Sequence, residues 1–433
     1  MELTTQTQAQ TQPRSQLPSP APEPPGSLPE FRLYRPRPGH PDWPRLAAEA
    51  RALAACLRPT LEPPRAGLAK WRQRMASNAT VLENYLTNRR RSRAGREDLL
   101  PMYFIWTTHR ACNFRCSYCD DHLGRAYPEL PQEGTLDTAE GLELLRIMRT
   151  RTPSVYLAGG EPTLRADLPE LTRAARDLDY YPITVNTNAS LIARQLQKSS
   201  WRSWLADMDI IVVSLDRLNL ASCKSLWGYD DPDTVVRNLL LLRELSDEMD
   251  FKLMVNTVIE PGHLQDARDV LNLVNDLSIT FCPVPMNVGP RIHPDLPGDP
   301  EFRAFGKRVL ERIAQGYKVA GSARMNRRLL GSAKLQCRNT IKPHVDYDGH
   351  LYWPCKSCQN VAPRRINVLD FENVDALYAH ACELIEPTRF HGPAANQCGA
   401  ECNWAQNYTT DAYAHGLDHP ETLVKESVRF VWR

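Results

Sequence analysis

Three cysteines stand close together in the first third of the chain. Cys112, Cys116 and Cys119 form the spacing CxxxCxxC directly after the apolar run 102–108. Iron–sulfur clusters are normally held by cysteine thiolates, and each of the four irons of a [4Fe–4S] cluster needs a fourth ligand. Three thiolates on one short loop would therefore leave one iron open to a small molecule. Taken alone, this spacing could also be a zinc site or a chance arrangement.

A glycine motif begins forty residues after Cys119. It directly follows the apolar run 154–158 and consists of Gly159, Gly160, Glu161 and Pro162. Adjacent glycines let a backbone approach a ligand closely. The cysteine spacing and this GGEP motif together resemble the radical S-adenosylmethionine (SAM) superfamily, whose cluster binds the amino and carboxylate groups of SAM at its open iron. The resemblance implies that GGEP contacts the methionyl amino group and that Tyr118 lies beside the adenine.

The elements that must position these motifs are short β-rich runs that alternate with helical stretches, a pattern typical of repeated βα units. Strands are predicted at 102–108, 154–158, 182–187, 209–215, 251–258 and 279–286, and helices at 137–150, 167–178, 190–204, 232–248 and 264–277. Six strands predict a partial (β/α)6 barrel of the radical SAM type, with ligands at the C-terminal ends of the strands.

Polar residues also end the later strands. The resemblance implies that Asn186, Ser214 and Asp216 contact SAM. Val258 is included among the candidate SAM contacts because the segment 255–258 of the fifth strand repeats the pattern of the earlier strand ends. Ordinary turn chemistry is the alternative, because Asn and Asp commonly terminate strands. No catalytic side chain is predicted beyond the cluster ligands, and Cys282 is interpreted as a small buried hydrophobe.

The chain is predicted to have four regions. Residues 1–29 are a leader too rich in Pro, Gln and Ser to bury a core, and 30–100 form a helical N-terminal region that is a cap on the barrel or a docking surface. Residues 101–325 form the barrel. Residues 326–433 form a small Cys-rich α+β extension.

The extension contains a second set of cysteines. Cys337 and Cys355 flank a predicted hairpin with Asp348 and Gly349 at its turn. This arrangement resembles the cluster-binding extensions called SPASM and twitch domains. It implies one auxiliary [4Fe–4S] cluster, with the ligands Cys337, Cys355, Cys398 and Cys402. Cys358 is a possible alternate ligand, and a structural zinc site with the same cysteines remains open.

Composition limits the partners. The 433-residue chain has a formal net charge of +2, which gives no reason to expect nucleic acid, and it has no apolar run long enough for a membrane span. Residues 1–29 lack the features of a secretory signal, so twelve cysteines indicate metal ligands in a reducing cytoplasm.

The resemblance implies reductive cleavage of SAM to a 5′-deoxyadenosyl radical that abstracts hydrogen from a substrate. Electrons would come from a flavodoxin or ferredoxin type of donor. Oxidation of a small molecule is favoured over transfer or isomerisation, and rearrangement or bond formation stays open. Modification of a peptide is the alternative substrate class, and a non-enzymatic iron–sulfur or zinc protein is the alternative of a different kind.

Overall fold

An eight-stranded sheet organises the chain in the computed structural model, which describes residues 37–65, 67–119, 132–335, 338–356, 366–385 and 402–422. The strands are β1 (Phe104–Thr107), β2 (Val155–Ala158), β3 (Ile183–Thr187), β4 (Ile210–Ser214), β5 (Lys252–Ile259), β6 (Thr280–Pro285), β7 (Asn287–Val288), β8 (Arg291–Ile292), β9 (His344–Val345) and β10 (Leu351–Tyr352). The order in the sheet is β10-β9-β1-β2-β3-β4-β5-β6, and β7 and β8 form a separate antiparallel pair.

The helices are α1 (Trp43–Leu57), α2 (Gly67–Arg93), α3 (Thr138–Arg149), α4 (Leu168–Asp177), α5 (Ile192–Leu196), α6 (Trp204–Asp207), α7 (Leu220–Trp227), α8 (Pro232–Ser246), α9 (Leu264–Asp276), α10 (Asp295–Gly298), α11 (Pro300–Ala314), α12 (Ala323–Leu330), α13 (Val374–Leu384) and α14 (Tyr408–Asp418). Strands β1 to β6 pair in parallel in chain order. The predicted partial (β/α)6 barrel is confirmed.

One predicted helix is wrong. The stretch 190–204 is interrupted, because α5 ends at Leu196 and a 3-10 turn over Ser199–Trp201 precedes α6. Serine side chains compete with the backbone for hydrogen bonds and favour turns over helix interiors. The turn also lets Trp201 and Trp204 both enter the core, with ring centroids 5.2 Å apart.

The helical N-terminal region is confirmed, but the apolar stripe of α2 faces outward. Its residues are exposed: Leu68, Trp71, Met75, Val81, Leu82 and Leu86. The buried face is polar and bonds main-chain carbonyls of the barrel, with Gln73 donating to Arg176 O at 3.0 Å and Asn88 to Leu100 O at 2.9 Å. These bonds satisfy buried amides that would otherwise be costly. The polar face of α2 thus contacts the barrel at the end of α4 and just before β1.

The predicted hairpin is confirmed as β9 and β10, and Gly349 at its turn has a φ of +80°. A side chain there would also meet Asn367 Oδ1 at 2.6 Å. Its position was not predicted: β9 pairs in parallel with β1, so the hairpin extends the barrel sheet by two strands. Within the described ranges, no helix is long and apolar enough to cross a membrane.

Candidate functional site

The parallel register places side chains in rows on the inner face of the sheet. One row joins Ile105, Tyr156, Thr184 and Ile210 on four neighbouring strands. Because strand residues alternate between faces, the next inward row lies two residues further along each strand. These rows line a cavity of about 1050 Å³.

All predicted residues of the first site line this one cavity. They are Cys112, Cys116, Tyr118, Cys119, Gly159, Gly160, Glu161, Asn186, Ser214, Asp216 and Val258. They come from the loop after β1 and from the C-terminal ends of β2 to β5. The sheet therefore brings together residues that are up to 146 positions apart in the chain, as Cys112 and Val258 are.

The cysteine loop is held in place by α7 and the residues just after it. The Arg115 backbone N–H donates to Trp227 O at 2.7 Å, and Phe114 is buried with its ring stacked on Trp227 and on Tyr229. The Phe114 N–H donates to Cys112 Sγ at 3.3 Å. Neither α7 nor this aromatic stack was predicted from the sequence, although Phe114 lies inside the cysteine motif.

Burial raises the pKa of Cys112 to about 11, and it raises the pKa of Cys116 further, with the neighbouring thiols of Cys119 and Cys112 and the carboxylate of Asp216 adding to the effect. Three negative thiolates at one site repel each other in a low-dielectric environment. A cationic group must therefore be present for all three to be deprotonated together. The donor set fits an iron–sulfur cluster, whose irons supply that charge.

The two glycines pack against the cysteine loop itself. Gly160 N–H donates to His109 O and Glu161 N–H donates to Ala111 O, each at 2.8 Å. A Cβ on Gly159 would meet His109 O at 2.6 Å, and a Cβ on Gly160 would collide with Ala111 O. Both positions therefore require glycine because two stretches of backbone touch next to Cys112.

The Glu161 side chain is fully buried and bonded within the protein. Its carboxylate accepts from Thr163 N at 3.0 Å, from the Thr163 hydroxyl at 2.6 Å, and at 2.6 Å each from the Thr187 hydroxyl and Asn188 N. Burial raises the pKa of Glu161, while these donors favour its charged form. The carboxylate thus ties the end of β2 to the end of β3.

Asp216 is used in a similar way. Its carboxylate accepts from the Tyr118 hydroxyl at 2.6 Å, from Trp227 Nε1 at 3.0 Å and from Val258 N at 2.8 Å. Burial raises the pKa of Asp216, and burial together with the nearby carboxylate raises the pKa of Tyr118. The tyrosine therefore keeps its proton and donates it.

Two predicted residues are more open to a ligand. Asn186 Oδ1 is buried at the cavity wall with no hydrogen-bond partner among the described residues. Ser214 is half-buried at the end of β4 and pairs in register with Asn256. A buried amide oxygen without a donor is costly, so Asn186 fits a site that is completed by a bound ligand.

A network of amides was missed by sequence reasoning. Asn188 Nδ2 donates to Asn113 Oδ1 at 3.0 Å, and Asn113 Nδ2 donates to Ser190 Oγ at 2.8 Å. This chain of bonds links the cysteine loop to the turn after β3. The available signal was Asn113 inside the cysteine motif, since a polar side chain between metal ligands commonly orients the loop.

The second cysteine set is only partly described. Cys337, Cys358 and Cys398 lie outside the described residues. Cys355 and Cys402 are both buried, Asn407 Nδ2 lies 3.6 Å from Cys355 Sγ, and Trp404 packs against Cys355. In the part of the chain that is described, no group of three or more His, Cys, Asp or Glu side chains could hold a single metal ion.

Known proteins share the barrel. Residues 106–274 match the model of the radical SAM superfamily. A probable GTP 3′,8-cyclase of Metallosphaera sedula is 30% identical over 40% of this chain and 52% of its own length. A GTP 3′,8-cyclase of Acidothermus cellulolyticus is 33% identical over 35% of this chain and 41% of its own length. The chain thus spans about half of the length of these relatives or less.

Among solved structures, SuiB of Streptococcus suis bound to S-adenosylmethionine superposes with a TM-score of 0.51 and 18% identity, over 70% of this chain and 73% of that one. At this identity the likeness concerns the fold. The sequence match covers β1 to α9, the segment that carries both motifs and the mouth of the barrel. Residues 106–274 thus match the radical SAM superfamily in sequence, and the barrel around them has its fold.

Proposed function

We propose that the cavity at the mouth of the barrel is the active site of a radical SAM enzyme, with Cys112, Cys116 and Cys119 as the ligands of the [4Fe–4S] cluster. SAM with such a cluster is the cofactor pair of the superfamily. When bound, the pair supplies a 5′-deoxyadenosyl radical by one-electron cleavage of the sulfonium. The observation that carries the proposal is that all three thiols line one cavity together with Gly159, Gly160 and Glu161 of the GGEP motif.

The protein's own residues then bind and orient SAM. Asn186 and Ser214 offer polar atoms at the wall where SAM would lie, and Tyr118 lines the same cavity with its hydroxyl held by Asp216. Glu161 and Asp216 act as positioning residues, because their oxygens are already bonded to neighbouring elements. The apolar inner wall, including Ile210, Val212 and Met254, would exclude water from a reactive radical.

A cavity of about 1050 Å³ has room for SAM and a second molecule, which supports hydrogen abstraction from a separate substrate. We favour oxidation of a small molecule. The relatives are named as GTP cyclases and SuiB has a structure with its precursor peptide SuiA, so ring formation and peptide modification are the competing outcomes.

An auxiliary [4Fe–4S] cluster held by Cys337, Cys355, Cys398 and Cys402 is the second part of the proposal. Its support is that Cys355 and Cys402 are both buried and that Trp404, a residue of the cavity wall, packs against Cys355. When bound, it would supply an electron acceptor on the substrate side. A flavodoxin or ferredoxin type of protein is the proposed donor to the first cluster.

The test is SAM cleavage. Protein reconstituted with iron and sulfide without oxygen should form 5′-deoxyadenosine from SAM and dithionite, and Cys112→Ala, Cys116→Ala and Cys119→Ala should each form none. Cys56→Ala is the matched control, because Cys56 is exposed on α1. Well-reconstituted wild-type protein that forms no 5′-deoxyadenosine would favour a non-enzymatic iron–sulfur or zinc protein.

A further inference from the structure

The cavity has a second wall that the radical chemistry does not use. It is built by β9, by the segment that precedes α14 and by the β7–β8 pair. Asn403 joins these parts, since its side chain accepts from Ile292 N at 2.7 Å and its N–H donates to Pro290 O at 3.2 Å. His344, Asn287 and Trp404 all face the cavity from this wall.

The charges of the cavity are unevenly distributed. The described residues that line it include two carboxylates, Glu161 and Asp216, and both lie at the cysteine rim with their oxygens bonded. The lining cations are Arg291, Lys342 and Lys356, and all three belong to β8 or to the C-terminal segments. Among the described residues, the cations of the cavity therefore lie on the second wall.

Lys342 is the most deeply placed of these cations. It is 4% exposed, donates to Gln406 O, and its ammonium lies 5.4 Å from the ring centroid of Trp404. Lysine is rarely this buried unless an anion or a π-system compensates its charge. Its position beside a flat aromatic surface suits a ligand that has both a charged end and a planar or apolar body.

Two polar atoms on the same wall have no partner among the described residues. Asn287 Oδ1 accepts from Ala405 N at 3.2 Å, which fixes the amide and leaves Nδ2 as a buried donor without an acceptor. His344 is 3% exposed and its Nε2 is likewise unpaired. Burial and the charges of Lys342 and Lys356 lower the pKa of His344 well below its usual value, so the ring is neutral and its Nε2 can donate.

The register confirms that His344 points inward. It pairs with Ile105 of β1, which starts the inner row that includes Tyr156 and Thr184. A donor at this position lies on the same surface as the cavity's central residues.

We infer that Asn287, Lys342 and His344 form an anion subsite that anchors a carboxylate or phosphate group of the substrate, with Trp404 supporting the adjacent part of the molecule. An anion there would complete the hydrogen bonds of Asn287 Nδ2 and His344 Nε2 and pair with the Lys342 ammonium. It would hold the substrate through residues of the C-terminal segments and the β7–β8 pair rather than through the cysteine loop. This inference rests on the proposed function only in naming the anchored molecule as the substrate.

The test is binding of two probe anions, ³²P-labelled inorganic phosphate and ¹⁴C-labelled succinate, by equilibrium dialysis against full-length reconstituted protein saturated with SAM. Lys342→Gln should weaken the binding of the preferred anion roughly tenfold or more, as expected for loss of a charge-assisted hydrogen bond. Asn287→Asp keeps an acceptor for Ala405 N but replaces the donor by a negative charge, and it should abolish binding. Lys307→Gln on the exposed side of α11 is the matched control and should bind as wild type.

Iron content and unfolding temperature show whether each variant is folded. Preference for phosphate or for succinate identifies the anchored group. Wild-type protein that binds neither anion, or folded variants with wild-type affinity, would overturn the subsite. Because dialysis needs no turnover, anion binding by protein that forms no 5′-deoxyadenosine would reject the proposed function and leave the subsite standing.

Discussion

The Tyr118 hydroxyl donates to Asp216 Oδ2 at 2.6 Å, and this bond ties the cysteine loop after β1 to the end of β4, 98 residues further along the chain. The same carboxylate holds Trp227 and the backbone of β5. One buried acid thus links the loop, the sheet and α7.

Tyr118→Phe tests this link. Loss of a hydrogen bond to a buried carboxylate should lower the free energy of unfolding by about 2 kcal/mol and loosen the loop, so that reconstituted protein retains less iron. Tyr229→Phe is the control, because its ring also stacks on Phe114 while its hydroxyl makes no hydrogen bond to the described part of the chain. Denaturant unfolding and iron analysis measure both effects. Equal behaviour of the two variants would mean that the bond to Asp216 does not stabilise the loop.

Gly160→Ala should damage the cluster site as well as SAM binding. The added Cβ would collide with Ala111 O, one residue before Cys112, and displacement of the loop by even a small distance should lower SAM cleavage roughly a hundredfold. Gly298→Ala serves as the control, since nothing lies near its Cβ position. Iron content and 5′-deoxyadenosine formation are the measurements. Full cluster content with SAM cleavage at the original rate would contradict the close packing.

The proposed auxiliary cluster can be tested by the iron content of the protein. Reconstituted wild-type protein should carry roughly eight irons, and Cys355→Ala/Cys402→Ala should keep about four. This variant should still form 5′-deoxyadenosine but fail to release oxidised product. Cys223→Ala, a buried thiol outside both sets, should keep all eight irons. Stoichiometric zinc in the wild-type protein would instead assign the C-terminal cysteines a structural role.

Lys252 predicts a pH dependence of stability. Burial, with a smaller contribution from Lys318, lowers its pKa to about 8, whereas an unfolded lysine titrates near 10.4. Between these values the unfolded chain binds more protons, so the free energy of unfolding should rise as the pH increases through this window. Below pH 8 both states are protonated and the penalty is complete.

Lys252→Met should therefore stabilise the protein at pH 7, by about 2 kcal/mol, and the gain should disappear above roughly pH 10.5. Lys307→Met, at an exposed position, should show no such trend. Denaturant unfolding at several pH values measures both. A gain for Lys252→Met that is independent of pH would show that the ammonium is not the cause.

The sequence alone predicted the cluster loop, the role of the GGEP motif and the partial barrel of six strands. Each depends on residues that are close along the chain: three ligands within eight positions, two glycines at a strand end, and apolar runs between helical stretches. Local propensity and periodicity carry that information. The same reasoning identified the hairpin, because Asp348 and Gly349 favour its turn.

Contacts between distant segments were decided only by the tertiary structure. The sequence does not show that β9 would pair with β1 and so bring His344 beside Trp404. It also does not show that the carboxylates of Glu161 and Asp216 would accept hydrogen bonds from neighbouring elements of the protein. Nor does it show which face of α2 is buried, because that is set by bonds from Gln73 and Asn88 to main-chain carbonyls far along the chain or in another segment. Side-chain partners far apart in the chain are selected by packing and by the cost of burying unpaired polar groups, and neither leaves a local pattern.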